Sequence, residues 1–247
     1  MIDLLYLTHG RIEFTKASLP TLLGHTDFSL VNEFIVYNDS TPETDDATSS
    51  YVRSLIEAGE PIQLRETNLR SPVSVMNHFL ARTQCRLFAK IDNDIIVPPA
   101  WLGTMLDVME RHPEVELLGA EPGHNEEGYV DLVPCDHIGG VGLMRTSAWE
   151  ERPAPIADGR FGFTEWQHLY RTGSFWIQPE LMLFSLDMIP VEPWLSLRET
   201  YIRQGLNRAW PLLDPADDRY WSWWTRGDQG ARPLPPPLAR SPPGVRR

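Results

Sequence analysis

A chain of 247 residues with 42% hydrophobic and 23% charged side chains has the make-up of a soluble globular protein, long enough to bury a substantial core. The net charge of -12 argues against a broad electrostatic grip on nucleic acid, and two cysteines, Cys85 and Cys135, make neither a disulfide framework nor a metal spacing. No apolar run reaches the length of a membrane span, and Met1 leads into Ile2-Asp3-Leu4-Leu5-Tyr6-Leu7 without a signal-peptide layout, so the expected location is the cytoplasm.

Ile2 to Leu7 reads as a first core strand, followed by a helix from about Glu13 to Leu23 with Phe14, Leu19, Leu22 and Leu23 on one side. Phe34 to Tyr37 forms the second strand and ends in Asn38-Asp39-Ser40-Thr41-Pro42. A helix over about Asp45 to Ala58, a short strand Pro61 to Leu64 and a helix from Ser71 or Val73 to Arg82 precede the strand Arg86 to Ile91. Strands alternating with helices imply βαβ units and a mostly parallel sheet with helices on both faces. Ligands of such sheets bind beyond the C-terminal strand ends. Three loops meet that condition: Thr8-His9-Gly10-Arg11, Asn38-Asp39-Ser40 and Asp92-Asn93-Asp94.

The second half reads differently. A helix from Trp101 to Arg111 leads to a strand Val115 to Leu118, and Tyr129 to Val133 alternates like an exposed or antiparallel strand. Ile138 to Met144 is glycine-rich and apolar, as expected of a strand passing close to a ligand or another backbone. The loop Gly159 to Gly162 precedes a helix with Glu165, Trp166, Gln167 and Tyr170, and Leu195 to Trp210 forms another. Residues 1–224 are read as one domain. Thr225 to Arg247, with five arginines against one aspartate and many prolines, is read as a flexible tail.

Chemistry concentrates at Asp92-Asn93-Asp94. Residues at i and i+2 of an extended segment face the same side, so the two carboxylates can meet one ligand together. Like charges this close are unfavourable without a cation or strong donors, and the flanking residues are apolar. A divalent-metal site that holds a phosphate-bearing substrate follows as the first reading. The bland alternative is a carboxylate pair capping a turn.

These segments resemble the family 2 type of GT-A-fold glycosyltransferases. Tyr6-Leu7-Thr8-His9-Gly10-Arg11 resembles that family's first strand and loop, Ile35 to Thr41 its second strand end, Asn68 and Asn77 the asparagines before its metal motif, and Leu87 to Asp94 its Asp-x-Asp strand, with Val97-Pro98-Pro99 following. The sequence departs from the family in lacking the usual glycine before Ser40, and its later Glu-Asp motif is present only as Glu165-Trp166. The resemblance implies an α/β GT-A (Rossmann-like) domain with a donor half over residues 1–99 and a smaller, mixed α/β acceptor side over residues 100–224.

It implies equally a metal-dependent, inverting transfer of sugar from a nucleotide-diphosphate donor, with UDP-sugar the first expectation. The pocket would be lined by Thr8, Arg11, Asn38, Asp39, Asn68, Asp92 and Asn93. Asp94 is the leading ligand for Mn²⁺ or Mg²⁺, with Asp92 on the ribose or a metal-bound water and His137 a further candidate. Glu165 is the expected general base and Asp136 its rival. Each has a plainer reading: Asn38-Asp39-Ser40 as an intrinsic turn, Arg11 as a surface residue, Glu165 as a helix-start acid, His137 as structural. Lys90 carries no assignment.

Tyr220-Trp221-Ser222-Trp223-Trp224, Trp166 and Trp194 would either stack on sugars and bases or seal the C-terminal segment onto the core. The acceptor is open among glycan, lipid-linked glycan, protein, small molecule and modified DNA base. A haloacid-dehalogenase-like phosphatase fits poorly, since its acidic pair belongs on the first strand with a lysine well downstream. A catalytically silent GT-A domain that binds a nucleotide sugar or glycan is the alternative from another class.

Overall fold

The first strand, β1 (Ile2–Thr8), is buried along its whole length. A strand in this position needs a covering layer on each face, which is why it reads as a near-continuous apolar run and does not alternate. The computed structural model of the chain describes residues 1–40, 42–121, 138, 140–153, 170–176, 184–189, 192–206 and 212. After β1 come α1 (Ile12–His25), β2 (Val31–Asn38), α2 (Pro42–Glu57), β3 (Gln63–Glu66), α3 (Pro72–Leu80) and β4 (Leu87–Asp92). The remaining elements are β5 (Ile95–Ile96), α4 (Trp101–Arg111), β6 (Leu117–Glu121), β7 (Val141–Arg145), α5 (Thr146–Glu151), β8 (Thr172–Trp176), β9 (Phe184–Ser185) and α6 (Trp194–Arg203).

Seven strands form one sheet in the order β3-β2-β1-β4-β7-β6-β8, and β5 pairs with β9 in a separate ribbon. The pairs β1–β2, β1–β4, β2–β3 and β6–β8 are parallel, while β7 runs antiparallel to β4 and to β6. The sheet is therefore mostly parallel, as its strand–helix alternation requires. Its two faces bury separate clusters. Leu4, Tyr6, Val36 and Ile91 meet α1, α4 and α6 through Phe14, Leu19, Met105 and Trp194, whereas Leu5, Leu7, Ile35, Tyr37 and Phe88 meet α3 and α5 through Val75, Phe79 and Trp149.

Most expected elements lie where the pattern places them, and the differences have local causes. Strand β4 extends one residue further than expected, which puts Asp92 in the sheet and Asn93 and Asp94 in the turn beyond it. The glycine-rich segment enters the ladder only at Val141, with the Gly140 carbonyl accepting from Asp92 N at 2.8 Å. Helix α6 stops at Arg203, short of the expected Trp210. Gly205, at φ +73°, lets Leu206 N return to the Tyr201 carbonyl at 2.8 Å and closes the helix end. The expected strand Tyr129 to Val133, the Glu165 helix, the Trp221-Trp224 cluster and the tail lie outside the described residues. No described helix is long and apolar enough to cross a membrane.

Candidate functional site

Register brings the three loops together. Thr8 is level with Asn38 across β1–β2, and Leu7 is level with Asp92 across β1–β4, so all three strands end at one edge of the sheet. Backbone bonds tie the loops to each other: Asp39 N donates to the Thr8 carbonyl at 3.0 Å, and Thr67 N to the Asn38 carbonyl at 3.0 Å.

Asn93 is the fixed point of this edge. It is fully buried, and its Nδ2 donates to Thr8 Oγ1 and Thr15 Oγ1, each at 3.1 Å, and to the Arg11 carbonyl at 3.4 Å. Its own carbonyl accepts from Ser18 Oγ at 2.7 Å and from the Tyr6 hydroxyl at 3.3 Å. Burial pushes the Tyr6 phenol up, so it remains a neutral donor. The acidic turn is thereby clamped to β1 and to the first turns of α1.

On either side of Asn93 each acid carries a basic partner. Arg11 donates from Nη1 to Asp94 Oδ2 at 2.9 Å and from Nη2 to Asn93 Oδ1 at 2.5 Å, with the Asp94 side chain only 9% exposed. The guanidinium lies 5.5 Å over the Phe14 ring, which is packed in turn against Trp194 and Tyr201 of α6. Burial works against the charge on Arg11, but the carboxylates of Asp94, Asp187 and Asp92 outweigh it and hold the group protonated. Lys90 is almost wholly buried, and its Nζ lies 2.5 Å from Asp92 Oδ1. Desolvation raises the Asp92 carboxyl; Lys90 pulls it down and Asp94 pushes it up, with a net upward shift.

The second loop presents Asp39. Its Oδ1 accepts from Thr67 Oγ1 at 2.9 Å and Leu69 N at 2.6 Å, while among the described residues no hydrogen bond goes to Oδ2. Asn38 is buried and internally bonded, donating to Ser49 Oγ at 2.9 Å and accepting from Ser40 Oγ at 2.7 Å. Asn68 is exposed, with Arg70 Nε donating to its Oδ1 at 3.2 Å. Asn77 accepts from Trp149 Nε1 at 2.7 Å and ties α3 to α5.

The structure thus brings Thr8, Arg11, Asn38, Asp39, Asp92, Asn93 and Asp94 to one edge, and Asn68 to the loop that wraps Asp39. Within this set Thr8, Asn38 and Asn93 spend their side chains on protein partners, Asp39 and Asp94 are buried with Asp94 paired to Arg11, and the Asp92 side chain, paired to Lys90, is 30% exposed. Asp136, His137 and Glu165 lie outside the described residues. Two participants carried no assignment in the sequence. Lys90 had a signal, because the i, i+2 rule that aligns Asp92 with Asp94 also aligns Lys90 with Asp92. Asp187 had none: it reaches the site because Leu186 N donates to the Asp94 carbonyl at 2.7 Å, next to the two-residue β5–β9 ribbon.

Among the described residues no group of three or more His, Cys, Asp or Glu is placed to hold a metal ion. Asp92 and Asp94 supply hard carboxylate oxygens, the donor chemistry that suits Mg²⁺ or Mn²⁺ with substrate phosphates completing the shell, while each is paired here with a basic side chain, Asp92 with Lys90 and Asp94 with Arg11.

No protein-family model matches the chain, and no curated protein matches its sequence. Solved structures do match. Mannosyltransferase PcManGT from Pyrobaculum calidifontis, in complex with GDP-Man and Mn²⁺, is 13% identical with a TM-score of 0.59 over 99% of this chain and 71% of that one. S. aureus TarS is 13% identical with a TM-score of 0.57 over 85% of this chain and 40% of its own, and its residues 1–349 have been solved with UDP-GlcNAc. GalNAc-T7 with UDP, GalNAc and Mn²⁺ is 8% identical with a TM-score of 0.56 over 71% of this chain and 41% of its own. The chain spans less than half the length of TarS and of GalNAc-T7.

Proposed function

Since the chain has the GT-A fold, we propose that it is a metal-dependent glycosyltransferase that moves a sugar from a nucleotide-diphosphate donor to an acceptor hydroxyl with inversion. The observation that carries this reading is the convergence of Asp39, Arg11, Asp92 and Asp94 at the strand ends of a fold shared with proteins solved with UDP, UDP-GlcNAc and GDP-Man.

The residues divide by position. Asp39 Oδ2 accepts from the base or ribose, held in aim by the Thr67 and Leu69 bonds to Oδ1. Asp94, with Asp92 beside it, is the place for Mn²⁺ or Mg²⁺, and Asp92 also contacts the ribose. Held by these residues, a divalent ion would supply positive charge to the leaving diphosphate. Arg11 adds a planar fork suited to phosphate oxygens, and it sits where the positive end of α1 reinforces it. On sequence grounds Glu165 takes the acceptor proton, with Asp136 the second candidate and His137 a further metal ligand.

The test is release of nucleoside diphosphate from UDP- and GDP-sugars with Mn²⁺ and pooled glycan, lipid-linked and small-molecule acceptors. Wild type is expected to turn over, and Glu165→Gln to lose transfer by about 10²-fold or more while still binding donor. Unchanged transfer in Glu165→Gln shifts the base to Asp136. Donor binding with no release under any pairing replaces the enzyme with a nucleotide-sugar-binding module.

A further inference from the structure

We propose that Arg11 is a resident counter-cation that occupies Asp94 until a nucleotide diphosphate draws it away, so that metal and donor load together and not metal first. This rests on the donor-site reading above and adds an order to it.

The geometry supports an exchange of cations at one carboxylate. Asp94 is nearly buried, and its Oδ2 faces Arg11 Nη1 at 2.9 Å. A divalent ion held by Asp94 would share the carboxylate with a guanidinium already in place, and two cations on one carboxylate would repel strongly where water is largely excluded. Asp92 has its own cation in Lys90, but that ammonium is fixed on β4 between β1 and β7 and is almost wholly buried. Arg11 has another place to go. It lies at the N-terminal boundary of α1, outside the helix, over a flat aromatic face. A diphosphate offers the same bidentate recognition that the Asp94 and Asn93 oxygens now provide.

The latch is supported from behind. Phe14, under the guanidinium, packs at 5.2 Å on Tyr201 and 6.0 Å on Trp194, so α6 sets the height of the Arg11 platform. The carboxylates of Asp187 and Asp92 add attraction on the same guanidinium, which steadies the latched state. Because binding free energies are reciprocal, nucleotide must tighten metal binding by the same factor that metal tightens nucleotide binding. Part of that factor comes from phosphate oxygens joining the metal shell. The part contributed by releasing Arg11 vanishes when Arg11 is absent.

The experiment measures Mn²⁺ affinity of the full chain by electron paramagnetic resonance of the free ion, with and without UDP, for wild type, Arg11→Gln and Asp94→Asn, after a thermal melt confirms that each is folded. Without nucleotide, Arg11→Gln is expected to bind Mn²⁺ roughly tenfold more tightly than wild type, and UDP to improve its affinity by a correspondingly smaller factor. Asp94→Asn is expected to bind Mn²⁺ weakly in both conditions. Equal Mn²⁺ affinity of wild type and Arg11→Gln without UDP overturns the latch and leaves the donor site standing. Failure of wild type to bind Mn²⁺ even with UDP overturns both. Should Arg11→Gln not fold, proton exchange of the Arg11 guanidinium in wild type gives the answer. Slow exchange that accelerates with Mg²⁺ plus UDP, but not with Mg²⁺ alone, supports the latch, and exchange indifferent to both overturns it.

Discussion

Replacing Asn93 by alanine tests whether the acidic turn is held by a buried amide. The substitution removes the bonds from Nδ2 to Thr8 and Thr15 at 3.1 Å and the bond that Oδ1 accepts from Arg11 at 2.5 Å. Taking about 1 kcal/mol for each neutral bond and about 2 for the charged one gives about 4 kcal/mol. Thr8 and Thr15 already bond each other at 3.1 Å, so their contact returns nothing of that loss. The longer 3.4 Å contact to the Arg11 carbonyl adds little. The expected loss is therefore about 4 kcal/mol, a large share of the ~5–15 kcal/mol of a typical domain. Urea unfolding of wild type and variant measures it, with the midpoint falling and the slope unchanged. A loss below about 1 kcal/mol would refute the reasoning, since the network would then be replaceable by repacking or water.

Two further predictions concern the frame around the site. Glu116 is buried and accepts from Arg171 N, Arg171 Nη2 and Arg152 Nη2; burial alone would raise its carboxyl, but these donors outweigh it and bring it from 4.5 to about 2. A depressed carboxyl stabilises the fold above its unfolded value and loses that contribution as pH falls, here between about 4.5 and about 2. Glu116→Gln should cost about 2 kcal/mol at neutral pH after discounting for the exposed arginines, and the difference from wild type should shrink on acidification in a pH series of denaturation curves. Gly140→Ala would set a Cβ 2.7 Å from Ile95 Cδ1 and 2.8 Å from Ile95 Cγ1, beside the Asp94 turn. Ile95 must shift within its packing, so a destabilisation of about 1–2 kcal/mol and a Tm lower by several degrees are expected; an unchanged Tm would show that the strand has slack.

The first half of the chain is legible because its signals are local. Apolar runs bounded by Thr8-His9-Gly10, Asn38-Asp39 and Asp92-Asn93-Asp94 mark strands and their ends, and the parallel register that follows places those ends together. Ser71-Pro72 marks the start of α3, where Ser71 Oγ accepts from Ser74 N. What could not be read depends on contacts between distant segments. The inward turn of the Asn93 amide needs Thr15 on α1 folded over it, and the approach of Asp187 needs the short β5–β9 ribbon. Trp194 was equally readable as a sugar platform or a seal, and its place against Phe14 in the core makes it a seal. The pairing of Arg11 with Asp94 had no sequence signal either, because α1 brings its first residues back across the sheet edge only in three dimensions.

The proposed nucleotide-diphosphate pocket depends on Asp94 and a divalent ion. Thermal melts of the full chain with UDP, GDP, dTDP and CDP, each with and without Mn²⁺, test it most directly. At a hundredfold excess over Kd a ligand stabilises by about 2.7 kcal/mol, a rise of roughly 5–10 °C for a chain of this size. Such a rise is expected for at least one nucleotide with Mn²⁺ and a smaller one without it, while in Asp94→Asn Mn²⁺ is expected to add nothing to the metal-free rise. No rise with any nucleotide, or a rise that Mn²⁺ leaves unchanged, would contradict this reading.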